Sequence, residues 1–184
     1  MNTSLVLRAA LASDEPAIAA LIPRSARALS AGFYSEAQIE AAICHVFGVD
    51  SALIADGTYL VAAVGEEIRG CGGWSRRRSL FGGDQHKPTD DPLLDPAVDA
   101  ARIRAFFVAP EFARQGIARL LMRACANAAY TYGFRQLELV ATLPGVPLYE
   151  AFGFSPVGDV LEPTPSGIVI PFVRMHRVLD APLD

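Results

Sequence analysis

The stretch from residue 106 to residue 119 constrains the fold more than any other part of this sequence. It reads Phe-Phe-Val-Ala-Pro-Glu-Phe-Ala-Arg-Gln-Gly-Ile-Ala-Arg, which predicts a strand end, a turn at Pro110, a glycine-bearing loop and the start of an amphipathic helix. The first N–H groups of a helix lack internal partners, and the helix dipole adds partial positive charge there. Gly116 lets an anion approach the backbone closely, and Arg114 and Arg119 add charge on either side. The stretch therefore predicts a site that holds a pyrophosphate.

Composition narrows the class of protein. The chain has 184 residues, of which 52% are hydrophobic and 20% charged, as expected for one soluble globular domain spanning residues 1–184. A net charge of −4 provides no global electrostatic basis for binding nucleic acid. No apolar run approaches the roughly 20 residues of a membrane span, and Arg8, Asp14 and Glu15 interrupt any signal-peptide pattern. We therefore expect no nucleic-acid partner and no membrane association.

The cysteines and histidines indicate neither disulfides nor a metal site. Three cysteines, Cys44, Cys71 and Cys125, are odd in number and widely spaced, which favours a reducing, cytoplasmic location. The three histidines are scattered and complete no metal-ligand spacing. The sequence thus predicts a cytoplasmic protein without a bound metal.

Strand and helix patterns alternate along the chain and predict an α/β (α+β) fold. A short strand near the N-terminus precedes two helices, and a hairpin around Gly65 precedes the strand that enters the loop. The helix after Gly116 ends near Gly133, and a strand, a short helix and two final strands follow. Such a pattern predicts a mixed sheet flanked by helices.

The segment from about 81 to 99 is the least regular part of the sequence. It contains glycines, prolines and aspartates without apolar periodicity. A loop of this length within a domain is commonly a functional lid or disordered. The residues leave both alternatives open.

Two motifs together resemble the GNAT superfamily of acyl-CoA-dependent N-acyltransferases. The first is a Gln/Arg-x-x-Gly-x-Gly/Ala loop, matched at 113–118 except that Ala113 stands at its opening position. The second is a Leu-Tyr-Glu-x-x-Gly-Phe block, matched at 148–154. The resemblance runs from about Leu7 to about Val178 and implies a single domain with a mixed, mostly antiparallel sheet.

The resemblance also implies where acetyl-CoA, the expected co-substrate, would bind. The pantetheine arm would pair in strand fashion with Phe106, Phe107 and Val108, and Thr142 stands where many relatives place an asparagine that contacts this arm. The Val108 amide would polarise the thioester carbonyl, a catalytic contact. The pyrophosphate would lie on the backbone of six residues: Arg114, Gln115, Gly116, Ile117, Ala118 and Arg119.

Tyr149 resembles the family's general acid, which protonates the departing thiolate. The alternative is a tyrosine that only packs on the apolar side of a short helix. The general base stays open between Glu138, residues of the 81–99 segment including His86, and water. No cysteine lies in either motif, so we expect direct attack in a ternary complex rather than an acyl-enzyme.

The sequence as a whole predicts an N-acetyltransferase acting on a primary amine. The acceptor would be a small-molecule or peptide amine, and the apolar C-terminal strands offer an edge for a homodimer. The alternative is a non-catalytic acyl-CoA-binding or sensing module on the same fold. A nucleotide-binding P-loop is excluded, because no Gly-Lys-Ser/Thr follows the glycine.

Overall fold

The computed structural model describes residues 4–183, which form one seven-stranded sheet with helices on both faces. The strands are β1 Val6–Ala9, β2 Tyr59–Val64, β3 Glu67–Ser75, β4 Ala101–Val108, β5 Gln136–Ala141, β6 Ser155–Pro163 and β7 Val169–Val178. The helices are α1 Glu15–Ser30, α2 Glu36–His45, α3 Ser51–Ala55, α4 Ile117–Tyr132 and α5 Val146–Ala151.

The strand order is β1-β2-β3-β4-β5-β7-β6. Every neighbouring pair is antiparallel except β4 and β5, which run parallel. The predicted fold class, a mixed and mostly antiparallel sheet flanked by helices, is therefore confirmed.

The parallel strands β4 and β5 separate soon after they meet. Their ladder consists of Ala101 opposite Leu137 and Arg102 opposite Glu138, and it ends there. On its other side, β4 has one more residue than β3 between two paired positions, and Ala105 there adopts a left-handed φ of 60°. Such a bulge bends a strand and increases its twist. The C-terminal half of β4 is consequently paired on one edge only, and a gap opens near the middle of the sheet.

The helices pack closely on the two faces of the sheet. On one face, α4 buries a stripe that includes Leu121, Met122, Cys125 and Ala129. Its approach is close because β3 carries Gly70, where a Cβ would lie 2.7 Å from a methyl carbon of Ile117. Helices α1 and α2 cover the other face. The glycines of β3 thus mark close packing, as their pattern in a strand predicts.

The segment between β3 and β4 has one turn of 3₁₀ helix, Asp84–His86, as its only helical element. It is fastened to the connection between α2 and α3. The Asp84 N–H donates to the Val49 carbonyl over 3.0 Å, and the Gln85 side chain donates to the Phe47 carbonyl over 2.7 Å.

A buried cluster of charges lies under this segment. Asp50 is fully buried, and its Oδ2 is 2.8 Å from Nε of Arg104, whose side chain is 1% exposed. Lys87 from the segment also contacts the Asp50 carboxylate, and Arg104 donates to the Ser79 carbonyl over 2.6 Å. Desolvation raises the pKa of Asp50 despite both cations. The segment between β3 and β4 is therefore attached to the sheet through buried ion pairs, in which the Asp50 carboxylate compensates the charges of Lys87 and Arg104.

Candidate functional site

A cleft of about 700 Å³ opens along the gap between β4 and β5. Four parts of the chain supply most of its lining: the second half of α1, the end of β4, the loop 113–119 with the first turn of α4, and α5 with the turn before it. The predicted strand end, glycine loop and Tyr149 block therefore meet in one place.

The loop 113–119 has a left-handed backbone at two positions. Gly116 has φ 87° and forms the N-cap of α4, and Arg114 has φ 62°. A Cβ at Gly116 would meet no atom within 4 Å, so the backbone conformation, not crowding by the protein, requires glycine there. Left-handed residues in such a loop turn successive N–H groups toward one side and form anion-binding concavities.

Six consecutive backbone N–H groups of this loop are available to a ligand. Across residues 4–183, the N–H groups from Arg114 to Arg119 have no hydrogen-bond partner, and the ladder of α4 starts with the Leu120 N–H. The side chains of Arg114 and Arg119 are exposed and line the cleft. A helix N-terminus with free donors and two cations is a site suited to phosphate.

The unpaired edge of β4 forms the wall of the cleft that continues from this loop. Phe106, Phe107 and Val108 all line the cleft. The ring of Phe106 lies against β3 at Gly72, where a Cβ would come within 2.7 Å of the ring. The Val108 N–H points away from β3 and donates to the Ser25 Oγ of α1 over 3.2 Å. The amide predicted to contact a thioester therefore has a side-chain partner.

Tyr149 is held by ring contacts while its hydroxyl stays free. Its ring lies edge-on to Phe106, with centroids 6.5 Å apart, and to Phe154, with centroids 5.9 Å apart. The hydroxyl has no hydrogen-bond partner within residues 4–183, and the residue lines the cleft. Burial and the nearby Cys125 thiol hold the pKa of Tyr149 well above its ordinary value. Tyr149 therefore stays protonated well into the alkaline range.

A smaller cavity of about 70 Å³ continues from the cleft under the segment between β3 and β4, which we call the 76–100 segment. We call this smaller space the inner cavity. Its walls are mostly apolar, and the two spaces share Phe47, Phe106, Phe107, Thr142 and Tyr149. The rest of its lining consists of Val46, Gly48, Leu80, Phe81, Gly82, Gly83, Ile103, Arg104, Ala105, Val140 and Phe172. Thr142 and Tyr149 thus stand where the two spaces join.

The side chains considered for the general base lie outside both spaces. The Glu138 carboxylate is 3.1 Å from Nη1 of Arg102 and 2.6 Å from Nη2 of Arg174. His86 packs edge-on against Phe81 and lies 3.4 Å from a carboxylate oxygen of Glu162. Among the described residues, no carboxylate and no histidine lines the cleft or the inner cavity. The structure brings none of these candidates to the Tyr149 hydroxyl.

The structure gathers most of the predicted site residues and adds others. All of them except Gln115 line the cleft, and the Gln115 side chain instead donates to the Glu111 carbonyl over 3.2 Å. Sequence reasoning missed Ser25, Leu29 and Phe33, which α1 and the turn after it bring to the opposite wall. Ser25 and Leu29 lie in an ordinary amphipathic helix and Phe33 in the turn after it, and no local sequence pattern distinguishes the three.

Within residues 4–183, no group of three or more acidic, histidine or cysteine side chains is arranged to hold a metal ion. No helix in that range is long and apolar enough to span a membrane. The three cysteines are free thiols, and burial raises the pKa of Cys71 to about 12. The buried thiols Cys71 and Cys125 therefore act as core side chains.

Comparison with known protein families identifies one whose model matches this chain. The model described as "Acetyltransferase (GNAT) family" matches residues 26–154, which include both sequence motifs. No curated protein matches the sequence.

Several solved structures share the fold. A GCN5-related N-acetyltransferase from Rhodopseudomonas palustris has 21% identity and a TM-score of 0.70, covering 97% of this chain and 98% of that one. A phosphinothricin acetyltransferase from Sinorhizobium meliloti, solved with AcCoA, has 21% identity and a TM-score of 0.61, covering 100% and 95%. An N-acetyltransferase from Thermoplasma acidophilum, solved with coenzyme A, has 15% identity and a TM-score of 0.59, covering 95% and 99%.

Proposed function

Because this chain belongs to the acetyltransferase (GNAT) family and is an acyltransferase of that type, we propose that it transfers an acetyl group from acetyl-CoA to a primary amine. The acceptor is a small-molecule or peptide amine. The observation that carries the proposal is that one cleft contains the free N–H groups of loop 113–119, the edge of β4 that β5 leaves unpaired, and Tyr149.

The pyrophosphate of acetyl-CoA binds to the free N–H groups from Arg114 to Arg119. Arg114 and Arg119 supply charge at the mouth of the cleft, and charge-assisted contacts to phosphate are stronger than neutral ones. The pantetheine arm then lies in the gap and pairs with the edge of β4 from Phe106 to Val108, which β5 leaves unpaired. Thr142, at the end of β5, faces the arm from the other side.

The acetyl group lies where the cleft meets the inner cavity, and the acceptor attacks it there. The amine nitrogen forms a bond to the carbonyl carbon, and the electron pair of the C=O bond moves to oxygen. The Val108 N–H faces the gap, where it now donates to Ser25 Oγ, and it helps to stabilise the negative charge on this oxygen. When the oxygen electrons return, the C–S bond breaks, and the departing thiolate of CoA takes the Tyr149 proton.

The amine must also lose one proton. Since no carboxylate or histidine within residues 4–183 lines either space, we propose that a water molecule takes this proton and that solvent then returns a proton to the Tyr149 phenolate. The apolar walls favour the neutral amine, because burial disfavours a charged group without a counter-ion.

Three further features belong to the proposal. The chain acts as one domain over residues 1–184, with the 81–99 segment beside the inner cavity. The free cysteines suit a reducing, cytoplasmic setting. The edge strand β6 exposes Val157 and Leu161, which favours pairing with a second copy.

The test is transfer itself. The protein is incubated with acetyl-CoA and a panel of amines that includes amino acids, polyamines, aromatic amines and lysine peptides. Mass spectrometry then measures acetylated product, and chromatography measures released CoA. The proposal requires equal amounts of product and CoA for at least one amine.

A non-catalytic acyl-CoA-binding or sensing module is the second candidate. The observation that favours it is the missing carboxylate or histidine at the acetyl position. Tight binding of acetyl-CoA, with no CoA released in the presence of any amine of the panel, would favour that alternative.

A further inference from the structure

Ser25 is a buried polar residue on the wall of the cleft opposite β4. It lies in α1, is 3% exposed, and lines the cleft. Its Oγ accepts the Val108 N–H over 3.2 Å, a contact between residues 83 positions apart in the sequence. Helix α1 therefore brings a hydroxyl to the β4 amide that faces the gap.

The Ser25 hydroxyl keeps its own proton available. A serine hydroxyl has one O–H donor and two acceptor lone pairs. The Val108 N–H uses one lone pair, and no acceptor for the Ser25 O–H is present among residues 4–183. A buried donor without a partner is costly, so a ligand oxygen in the cleft would relieve that cost.

The position of Ser25 Oγ determines which donor the thioester carbonyl oxygen would contact. A carbonyl oxygen bound directly by the Val108 amide would stand about 3 Å from that nitrogen, the usual length of such a bond. Ser25 Oγ occupies this position. Direct contact therefore requires the serine side chain to move, whereas contact through its hydroxyl requires no movement.

We propose that Ser25 is a catalytic residue whose hydroxyl donates a hydrogen bond to the thioester carbonyl oxygen, with the Val108 N–H behind it. This inference rests on the proposed acetyl transfer. The hydroxyl forms no covalent bond and keeps its proton throughout. Negative charge develops on the carbonyl oxygen as the amine attacks, and it is lost again when the C–S bond breaks. The hydrogen bond from Ser25 is therefore strongest in the tetrahedral intermediate between these two steps. Because Oγ accepts from Val108, its own O–H is polarised and becomes a better donor.

The test compares Ser25→Ala with Ser25→Thr, which keeps the hydroxyl. We expect Ser25→Ala to lower kcat by about ten-fold or more, less than the loss of a lone oxyanion donor, because the freed Val108 N–H partly replaces it. Ser25→Thr should recover part of this loss. The Kd for CoA, which has no thioester carbonyl, should change less than two-fold in both variants, and unfolding temperatures verify that both fold.

A second measurement needs no acceptor. Isotope-edited infrared spectroscopy of acetyl-CoA labelled with ¹³C at the thioester carbonyl reports the hydrogen bonds to that oxygen. The carbonyl band should shift to lower frequency on binding to the wild type, and the shift should shrink in Ser25→Ala and return in Ser25→Thr.

Two results overturn the inference while the proposed function stands. One is an unchanged or higher kcat for Ser25→Ala, which would mean that Ser25 only occupies the Val108 amide. The other is an identical carbonyl band in the wild type and Ser25→Ala. If the wild type itself binds no acetyl-CoA, the proposed function fails instead, so the two failures are distinguishable.

Discussion

The two sides of the gap between β4 and β5 are built in different ways. On one side, loop 113–119 is a single continuous stretch whose useful groups are backbone N–H donors. On the other side, the inner cavity is walled by side chains from distant parts of the chain, among them Phe47, Phe81 and Phe172. The first side depends on backbone conformation and the second on packing. Substitutions should therefore affect the two sides through different quantities.

We expect the largest effect, a loss of thermal stability, at the buried charge cluster of Asp50, Lys87 and Arg104. Asp50→Ala removes the carboxylate that is 2.8 Å from the buried Arg104 and leaves that cation with only the Asp91 carboxylate, 4.0 Å away. Breaking a buried pair in this way costs about 3–5 kcal/mol. At roughly 2–4 °C per kcal/mol for a chain of this length, thermal unfolding should show a loss of about 6–20 °C.

The matched control is Glu40→Ala, which breaks the exposed pair with Arg27. Exposed pairs contribute little, so its unfolding temperature should stay close to the wild type. An Asp50→Ala protein as stable as this control would show that the charge cluster does not fasten the 76–100 segment.

The next effect concerns Tyr149, where the two sides meet. Tyr149→Phe keeps the ring between Phe106 and Phe154 but removes the acidic proton. We expect kcat to fall by about 100-fold, as is typical for a positioned acid, with the Kd for CoA within two-fold. Steady-state kinetics and calorimetry separate the two quantities. Equal turnover would leave Tyr149 as a packing residue.

The pH profile sharpens this assignment. Because burial raises the pKa of Tyr149, its protonated, active form persists above pH 10. The wild-type rate should rise with pH as the amine loses its proton, and it should show no falling limb between pH 7 and 9.5. A fall centred below pH 9 would contradict a protonated tyrosine with a raised pKa.

On the backbone side, Gly116→Val is expected to weaken CoA binding by about ten-fold or more. A β-branched residue is strained at φ 87°, and its side chain projects into open space that the phosphate would use. Gly167→Val is the control, since Gly167 has φ 81°, also has open space around it, and lies in the turn between β6 and β7. Both variants should lose similar stability, and only Gly116→Val should lose affinity, as measured by calorimetry.

The smallest effect is expected for Phe81→Ala on the packing side. The Phe81 ring lies 5.4 Å from Phe172 and forms part of the inner cavity wall. Its removal enlarges the cavity, so kcat/KM should shift several-fold toward bulkier amines while the KM for acetyl-CoA stays within two-fold. A change in the acetyl-CoA KM alone would place the cofactor, not the acceptor, in the inner cavity.

The same contrast explains what could be predicted from the sequence. The loop at 113–119 was predictable because a glycine before an amphipathic helix encodes a local backbone geometry. Glycines inside a strand, such as those at 70, 72 and 73, are typical of close approach by a neighbouring group, and Gly72 does lie against Phe106. The gap itself was not predictable, because it depends on the bulge at Ala105 and on how β4 pairs with both neighbours.

Side chains contributed by other elements were also beyond the sequence. Ser25 reads as one more residue of an amphipathic helix, and only the packing of α1 against β4 places it beside Val108. The irregular 81–99 segment has no period from which its contacts could be inferred. Its fastening through Asp84 and Lys87 is visible only in the structure, and its role as a lid stays a prediction.

The most direct test of the account is the unfolding temperature of the wild-type protein with CoA, acetyl-CoA or pantetheine. If acetyl-CoA lies in the gap with its pyrophosphate on loop 113–119, ligand at about a hundred times its Kd should add about 2.7 kcal/mol. That corresponds to a rise of roughly 5–10 °C for CoA and acetyl-CoA, and much less for pantetheine, which lacks the phosphates. No rise with CoA or acetyl-CoA at millimolar concentration would contradict the account.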